Sequence, residues 1–333
     1  MKSKKYSAKP KTKSAKSTFI RYFIVTFIIG VIVMTPISSF FGRVSDIPIF
    51  GDTETNLMDE MPVLVEEDSI FYEAFQDKNR INVLMMGINQ NLADTIMVAS
   101  FDYDARHVDL ISVPRDTYYY RKGYYNPGAL KINAIYQNTH EPLETAIVVS
   151  ELLLGMPIHC YAIVDYEGIK EIVDTMGGVP MRIPPGMKYS DPSDNPPLYI
   201  NIPEGDQVLD GELSVQFLRF RKGYREGDIG RIKAQQEFMK SAFKQMLGFD
   251  LPKITKVIVE NIESDITLGT AMKIAKKAVG MSSDSIETYI MPHTLQDVAP
   301  YYVYPDSEGI AEMITQIYSI EPEATSEEDE VDQ

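Results

Sequence analysis

Apolar residues along the chain form short runs that alternate with amphipathic stretches. The runs of strand length, with turn residues between them, predict strands at residues 81–86, 95–101, 107–113, 158–164, 179–183 and 286–291. The stretches with helical periodicity predict helices at residues 129–138, 142–154, 167–176, 209–218, 229–247, 267–278 and 307–318. Strands that alternate with helices indicate an α/β fold, with helices on both sides of a sheet.

Three stretches do not fit this alternation. Residues 42–80 are polar, acidic and weakly periodic, so we predict an extracytoplasmic linker with one short helix near residues 69–76. Residues 184–203 are rich in Pro, Asp and Ser and predict a loop. Residues 321–333 are acidic without apolar periodicity and predict a disordered tail. The folded domain is therefore expected at residues 81–320.

The N-terminal region has the pattern of a membrane anchor. Residues 22–41 (YFIVTFIIGVIVMTPISSFF) carry no charge, and about 20 such residues cross a ~30 Å hydrocarbon layer as a helix. Residues 1–21 contain seven Lys and one Arg but no acid, which places that tail in the cytoplasm. We predict a single-pass membrane protein whose remaining residues are extracytoplasmic. A cleaved signal peptide is the alternative, but no small-x-small cleavage pattern follows the apolar run.

Composition excludes some classes of function. The formal net charge of −16 argues against a general nucleic-acid binder, which would need a basic surface. Cys160 is the only cysteine, so no intrachain disulfide can form. Its apolar surroundings are typical of a small core residue.

The most informative polar stretch is residues 217–236 (FLRFRKGYREGDIGRIKAQQ). Arg219 and Arg221 share a face if their segment is extended. Asp228, Arg231 and Gln235 share a face of the following helix, with Asp228 placed to be its N-cap. Converging guanidinium groups suit a phosphate or pyrophosphate. A solvated basic face with weak surface ion pairs is the alternative.

A second cluster follows the strand at residues 107–113. Arg115 lies just past the strand end, where ligands of open α/β sheets bind, although a turn with Arg115 and Asp116 facing water has the same pattern. Lys131 is either an anion ligand or a helix-surface residue. Asp94 begins a strand, where a carboxylate can hold Mg²⁺ or cap the preceding loop.

Several motifs then match one family in order and approximate spacing. They are residues 81–87, DTIM from Asp94, SVPRDT from Ser112, KINA from Lys131, MGGVP from Met176, RFR from Arg219 and GDIGRIKAQQ from Gly227. Over residues 82–247 the chain resembles the LytR-CpsA-Psr family. The resemblance implies a three-layer α-β-α sandwich whose mixed central sheet encloses a hydrophobic polyprenyl channel. It also implies an enzyme that transfers a glycopolymer from undecaprenyl pyrophosphate to peptidoglycan, at the N-acetylmuramic acid C6 hydroxyl.

The resemblance also assigns roles to residues. Catalytic charge stabilisation and pyrophosphate binding would come from Arg115, Arg219, Arg221 and Arg231. Asp228 would orient the arginines, Lys131 and Gln235 would bind substrate, and Asp94 and Asn89 would hold Mg²⁺. The general base is open between Asp94 and Asp228.

The chain departs from the family pattern at the end of the first strand. The family usually has Gly-x-Asp followed by a loop Arg, whereas this chain has Gly87-Ile88-Asn89 and a short loop without Arg. Loss of one negative charge predicts weaker Mg²⁺ binding. A non-catalytic protein that binds the polyprenyl pyrophosphate, as an envelope regulator or scaffold, is therefore the second hypothesis. A DNA-binding regulator is disfavoured, because the basic segment precedes the anchor.

Overall fold

The structure is a computed structural model that describes residues 61–90, 92–194, 197–248 and 251–320. The predicted cytoplasmic tail (1–21), anchor (22–41), first part of the linker and acidic tail (321–333) lie outside the described residues. None of the helices in the described ranges has both the length and the apolar composition to cross a bilayer.

The described residues form an α/β fold. The strands are β1 (Arg80–Asn89), β2 (Leu92–Asp102), β3 (His107–Ser112), β4 (Cys160–Val164), β5 (Val179–Ile183), β6 (Lys188–Asp191), β7 (Leu198–Asn201), β8 (Gly205–Leu209), β9 (Glu263–Ser264), β10 (Ile286–Ile290), β11 (His293–Leu295) and β12 (Val303–Pro305). The α-helices are α1 (Tyr72–Phe75), α2 (Ala134–Thr139), α3 (Pro142–Leu152), α4 (Tyr166–Thr175), α5 (Gly211–Arg219), α6 (Asp228–Leu247), α7 (Leu251–Glu260), α8 (Leu268–Lys277) and α9 (Ser307–Tyr318). Side chains of Asp165, Asp210, Thr267 and Asp306 accept hydrogen bonds from first-turn amides and so cap the starts of α4, α5, α8 and α9.

The central sheet has six strands in the order β10-β3-β2-β1-β4-β9. Pairs β1–β2, β2–β3 and β4–β9 are antiparallel, whereas β1–β4 and β3–β10 are parallel, so the sheet is mixed as predicted. Strands β1, β3, β4 and β10 therefore run in one direction, and their C-terminal ends meet at one edge. That edge is where ligands of open α/β sheets bind.

Helices pack on both faces of the sheet. One face, with Leu84, Val98 and Ile111, forms the main apolar core with residues of α3 and α9. On the other face, Gln236 of α6 donates hydrogen bonds to Ser112 Oγ and Tyr289 O, at 2.9 and 2.8 Å. Cys160 is fully buried, which confirms its prediction as a core residue.

A buried ion pair between Arg80 and Asp109 lies where helix α9 packs on the sheet. Arg80 Nη1 donates to Asp109 Oδ2 and to Ser100 Oγ, both at 3.0 Å, and Nη2 donates to the Ile317 carbonyl at 3.1 Å. Asp109 is 2% exposed. Because an unpaired charge at such a position is costly, the pair is expected to stabilise the docking of α9.

The predicted linker extends too far. Val65, Phe71 and Phe75 are buried in the main core, so the described part of residues 42–80 belongs to the folded domain. Val65 lies next to three acidic residues, and the helix that carries Phe75 is only four residues long, so the local sequence shows no clear apolar period. The short helix predicted near residues 69–76 is present as α1.

Two other predictions were wrong. The predicted helix at 129–138 is broken, because the amides of Ile132 and Asn133 donate to the carbonyls of Thr117 and Arg115 instead of continuing a helix. The predicted loop at 184–203 contains the hairpin β6–β7. Burial of Leu198 and Ile200 under a second apolar cluster stabilises that hairpin, despite its polar turn.

Candidate functional site

Asp94 lies at a β-bulge on the sheet edge where the parallel strands end. Gly87 pairs with Thr95 and Ile88 pairs with Ala93, so Asp94 is the extra residue of β2 and has no partner in β1. A bulge of this kind turns a side chain out of the regular alternation. Glycine suits position 87, because the Cβ of any other residue there would lie only 3.2 Å from the Thr95 Cβ, which is closer than most such contacts.

Three arginines from separate parts of the chain converge on Asp94. Arg115 Nη1 donates to Asp94 Oδ1 at 2.5 Å, and Arg221 Nη2 donates to Asp94 Oδ2 at 2.6 Å. Arg231 Nη2 donates to the backbone carbonyl of Asp94 at 3.2 Å. Arg115 therefore does not face water in an open turn, since its side chain is 18% exposed. Arg231 does not belong to a solvated basic face, since it is 2% exposed.

Helix α6 orients the deepest arginine. Asp228 and Arg231 form an ion pair at 2.9 Å across one turn, and Gln235 follows on the same buried face, as predicted. Asp228 is not the N-cap. Gly227 takes that position with φ 58°, a left-handed conformation that favours glycine, and Asp228 is the first helical residue. There its charge also interacts favourably with the helix dipole.

The charges of the site shift the pKa values of its members. Burial alone would raise the pKa of Asp94, but Arg221, Arg115 and Arg231 outweigh it and hold the pKa below its usual value. Burial lowers the pKa of Arg231 despite Asp228, with help from Arg115 and Arg221. The pKa of Arg115 is raised, because Asp228, Asp94 and Asp116 outweigh its burial.

Two guanidinium groups keep an unused donor. The Nε–H groups of Arg115 and Arg231 are buried and make no hydrogen bond within the described residues. A buried donor without a partner is unfavourable, so a ligand oxygen that reaches either Nε–H group would be stabilised. The site therefore has the donors and the positive charge that a phosphate or pyrophosphate needs.

Asp94, Arg221 and Arg231 also line a narrow cavity of about 40 Å³ together with Arg219 and Gln235. Apolar residues of its lining are Ile88, Val164, Ile169 and Leu218. The condition for a shared face, an extended segment from Arg219 to Arg221, is not met, since Arg219 is the last residue of α5 and Phe220 is its extended C-cap. Both arginines nevertheless reach the same cavity.

Sequence reasoning missed the partners of Arg219. Arg219 Nη2 binds Asp194 Oδ2 at 2.9 Å, and its guanidinium lies 5.0 Å from the ring centroid of Tyr166. Tyr166 follows β4 at the sheet edge, a position that could have identified it. Asp194 had no comparable pattern, because its segment was predicted to be a loop.

Lys131 interacts with the arginine site through Asp116. Its ammonium group binds Asp116 Oδ1 at 2.9 Å, and Asp116 Oδ2 lies 3.9 Å from Arg115 Nε. Lys131 therefore adds positive charge beside Arg115 without contacting Asp94 directly within the described residues. Asp116, which the sequence offered only as part of a turn, is the link between them.

The predicted Mg²⁺ ligands do not form a cation site in this arrangement. Both carboxylate oxygens of Asp94 accept from guanidinium groups, and the Asn89 amide donates to Asp94 Oδ2 at 3.3 Å. One carboxylate and one neutral amide among three arginines offer little negative charge to a divalent cation.

Fold and site together define an α/β protein with an arginine-rich site at the C-terminal edge of its central sheet. The LytR_cpsA_psr family model matches residues 52–319, and the chain belongs to this family.

Two curated relatives and one solved structure support the assignment. The polyisoprenyl-teichoic acid–peptidoglycan teichoic acid transferase TagV of Bacillus subtilis is 26% identical over 250 residues, covering 70% of this chain and 62% of TagV. The regulatory protein MsrR of Staphylococcus aureus is 29% identical over 209 residues, covering 57% of this chain and 58% of MsrR. The chain thus spans less than two thirds of either relative.

The crystal structure of Bacillus subtilis TagV shares the fold. It matches with a TM-score of 0.61 at 24% identity, covering 74% of this chain and 100% of the TagV chain. The predicted mixed α/β architecture is confirmed, and its central sheet has six strands.

Proposed function

We propose that this protein is a membrane-anchored glycopolymer transferase of the bacterial envelope. It would move a phosphate-linked glycopolymer from an undecaprenyl pyrophosphate carrier to an N-acetylmuramic acid hydroxyl of peptidoglycan. The family assignment and the name of TagV support this reaction class. The apolar segment at residues 22–41 supports an anchor, with the arginine-rich domain outside the cell.

The observation that carries the proposal is the meeting of Arg115, Arg221 and Arg231 at Asp94, with two buried Nε–H donors left over. Phosphoryl transfer requires mainly positioning and neutralisation of spreading negative charge. Guanidinium groups held in place by Asp94 and Asp228 supply both. No other described cluster of this chain offers a comparable set of donors to a phosphorylated ligand.

In the proposed reaction, the acceptor hydroxyl oxygen forms a bond to the phosphorus that carries the glycan. The bond from that phosphorus to the bridging oxygen breaks, and undecaprenyl phosphate leaves with the electron pair. The hydroxyl proton needs a carboxylate, for which Asp94 and Asp228 are both candidates. The lowered pKa of Asp94 makes it the weaker base until substrate displaces its arginines.

The lipid part of the donor would follow the apolar side of the cavity. Ile88, Val164 and Leu218 in its lining support a polyprenyl chain. At about 40 Å³ the cavity is smaller than such a chain, so binding would require its walls to separate. The polyprenyl channel implied by the family resemblance is part of this proposal.

The test is a transfer assay with the full chain in detergent, a labelled lipid-pyrophosphate glycan and peptidoglycan. Arg219→Ala combined with Arg221→Ala should lower the transfer rate by at least 10²-fold, as for loss of charge-stabilising donors. Arg182→Ala is the matched control. Its side chain is 82% exposed in a surface pair with Asp206, so its rate should equal that of the wild type. Equal rates for wild type and the double variant would refute the proposal.

A second candidate is a protein that binds the lipid carrier without transferring its glycan. Asn89, in the place of the family's usual Asp, favours it, as do the guanidinium groups that occupy both oxygens of Asp94. The name of MsrR describes a regulatory protein. In the same assay, an Asn89→Asp variant with far higher turnover than an inactive wild type would support this candidate. High wild-type turnover would reject it.

A further inference from the structure

A second cleft adjoins the arginine site. Its volume is about 540 Å³, within the range of small-molecule sites, and Arg115, Asp116 and Lys131 form one end of it. Arg115 binds Asp94, which lines the narrow cavity described above. The two spaces therefore meet at the Arg115–Asp94 ion pair.

Three uncharged polar side chains, among small apolar residues, line the rest of the cleft. Asn133 and Gln137 line it from the start of α2, four residues apart and so on one helical face. Gln137 is exposed, and the Asn133 side chain makes no capping bond to the helix. Asn126 lines the cleft too, where its Oδ1 accepts from the Gly128 amide and fixes the side chain. Amide groups that donate and accept in this way suit hydroxyl and acetamido groups of a sugar.

Two exposed tyrosines are next in the chain to residues that line the cleft. Tyr125 precedes the lining residue Asn126 and is 89% exposed, and Tyr301 follows the lining residue Pro300 and is 62% exposed. Exposed rings of this size next to a polar cleft commonly mark a binding site, because the apolar ring face can stack while its hydroxyl stays hydrated.

Backbone and ring contacts join the two loops that carry these tyrosines. The Tyr118 amide donates to the Val303 carbonyl at 2.8 Å, and the Tyr118 and Tyr302 ring centroids are 4.9 Å apart. Tyr302 OH donates to the Pro127 carbonyl at 3.1 Å. The two loops that border the cleft are thus joined to each other, as a preformed site requires.

We infer that this cleft binds the acceptor, a glycan strand of N-acetylated amino sugars, next to the phosphate held by the arginines. The inference rests on the proposed function and names the acceptor subsite of its site. In a displacement at phosphorus, the attacking and leaving oxygens lie roughly in line on opposite sides. The cavity with the apolar lining suits the leaving lipid phosphate, so the adjoining cleft, with Arg115, Lys131 and amide groups in its lining, suits the incoming hydroxyl.

The experiment measures binding and turnover separately with the full chain in detergent. A soluble N-acetylglucosamine–N-acetylmuramic acid saccharide is the acceptor probe, and ligand-observed NMR reports its binding without turnover. Gln137→Ala and Tyr301→Ala should each weaken that binding by about five- to tenfold. They should raise the acceptor KM by the same factor, with the donor KM unchanged. Tyr199→Ala, at an equally exposed tyrosine (61%) outside the cleft lining, is the matched control and should change neither constant.

The outcomes separate this inference from the proposed function. If the wild type binds the saccharide and both variants bind it more weakly, the cleft is supported as the acceptor site. This holds even without wild-type turnover, which would contradict only the transferase proposal. If both variants keep normal turnover and the wild-type acceptor constants, the cleft is not the acceptor site, whereas the transferase proposal still holds. A rise in the donor KM alone would also overturn the inference, because the cleft would then hold the donor's sugar.

Discussion

Replacement of Asp94 by Asn tests whether the arginine site is held together by one carboxylate. The variant keeps an acceptor oxygen but loses the charge that Arg115 and Arg221 share. The hydrogen bond to Arg115, whose side chain is 18% exposed, is expected to contribute about 1.5–3 kcal/mol. The bond to Arg221, 41% exposed, is expected to contribute about 0.2–1 kcal/mol. The free energy of unfolding should therefore fall by about 2–4 kcal/mol.

Thermal unfolding of the full chain in detergent measures the effect. For a domain of this size the loss corresponds to a fall in Tm of roughly 5–15 °C. Asp206→Asn is the control, since it breaks a comparable Arg–Asp pair whose side chains are both more than 80% exposed, and its Tm should stay near that of the wild type. A Tm for Asp94→Asn within about 1 °C of the wild type would show that the carboxylate does not organise the arginines.

The stability difference between the wild type and the Asp94→Asn variant should depend on pH. The pKa of Asp94 is lowered in the folded state, so its stabilisation is present above the unfolded pKa of about 3.9 and is lost as the pH falls through the folded pKa. The Tm difference between wild type and Asp94→Asn should be constant above about pH 5 and shrink below about pH 4. A difference that grows on acidification would contradict the assigned direction.

Three further substitutions test other parts of the argument. Arg231→Lys keeps the charge but loses the planar fork that donates to Asp94 and Asp228, so the transfer rate should fall by about 10²–10³-fold; an unchanged rate would remove Arg231 from the mechanism. Asp109→Asn leaves Arg80 with Asp102, 20% exposed and 3.3 Å away, as its remaining counter-charge, so urea denaturation should show a loss of about 1.5–3 kcal/mol, whereas a loss under about 0.5 kcal/mol would mean that the pair does not anchor α9. Asn89→Asp adds a carboxylate beside Asp94, so Mg²⁺ should raise its Tm more than that of the wild type, and identical Mg²⁺ titrations would argue against this position as a metal ligand.

Local geometry made several features predictable from the sequence. Five of the six strands of the central sheet follow apolar runs; the exception is β9 (Glu263–Ser264). Helices α4, α5 and α9 begin after Asp residues that cap their first turns. The spacing of Asp228, Arg231 and Gln235 predicts one helical face because the helical period depends only on neighbouring residues. The motifs also sufficed to identify the family, which the family model confirms.

Other features depend on contacts that are distant in the chain. Arg221 binds Asp94 across 127 positions, and the bulge that turns Asp94 toward it exists only where β1 and β2 pair. Pairing also explains the broken helix near Lys131, whose neighbouring amides bind the segment after β3. The sequence by itself determined most of the strands and helices around the sheet and which charged groups are available. Only the tertiary structure decided which of those groups meet, because a long-range ion pair forms when packing brings both partners together out of water, and no local periodicity encodes that packing.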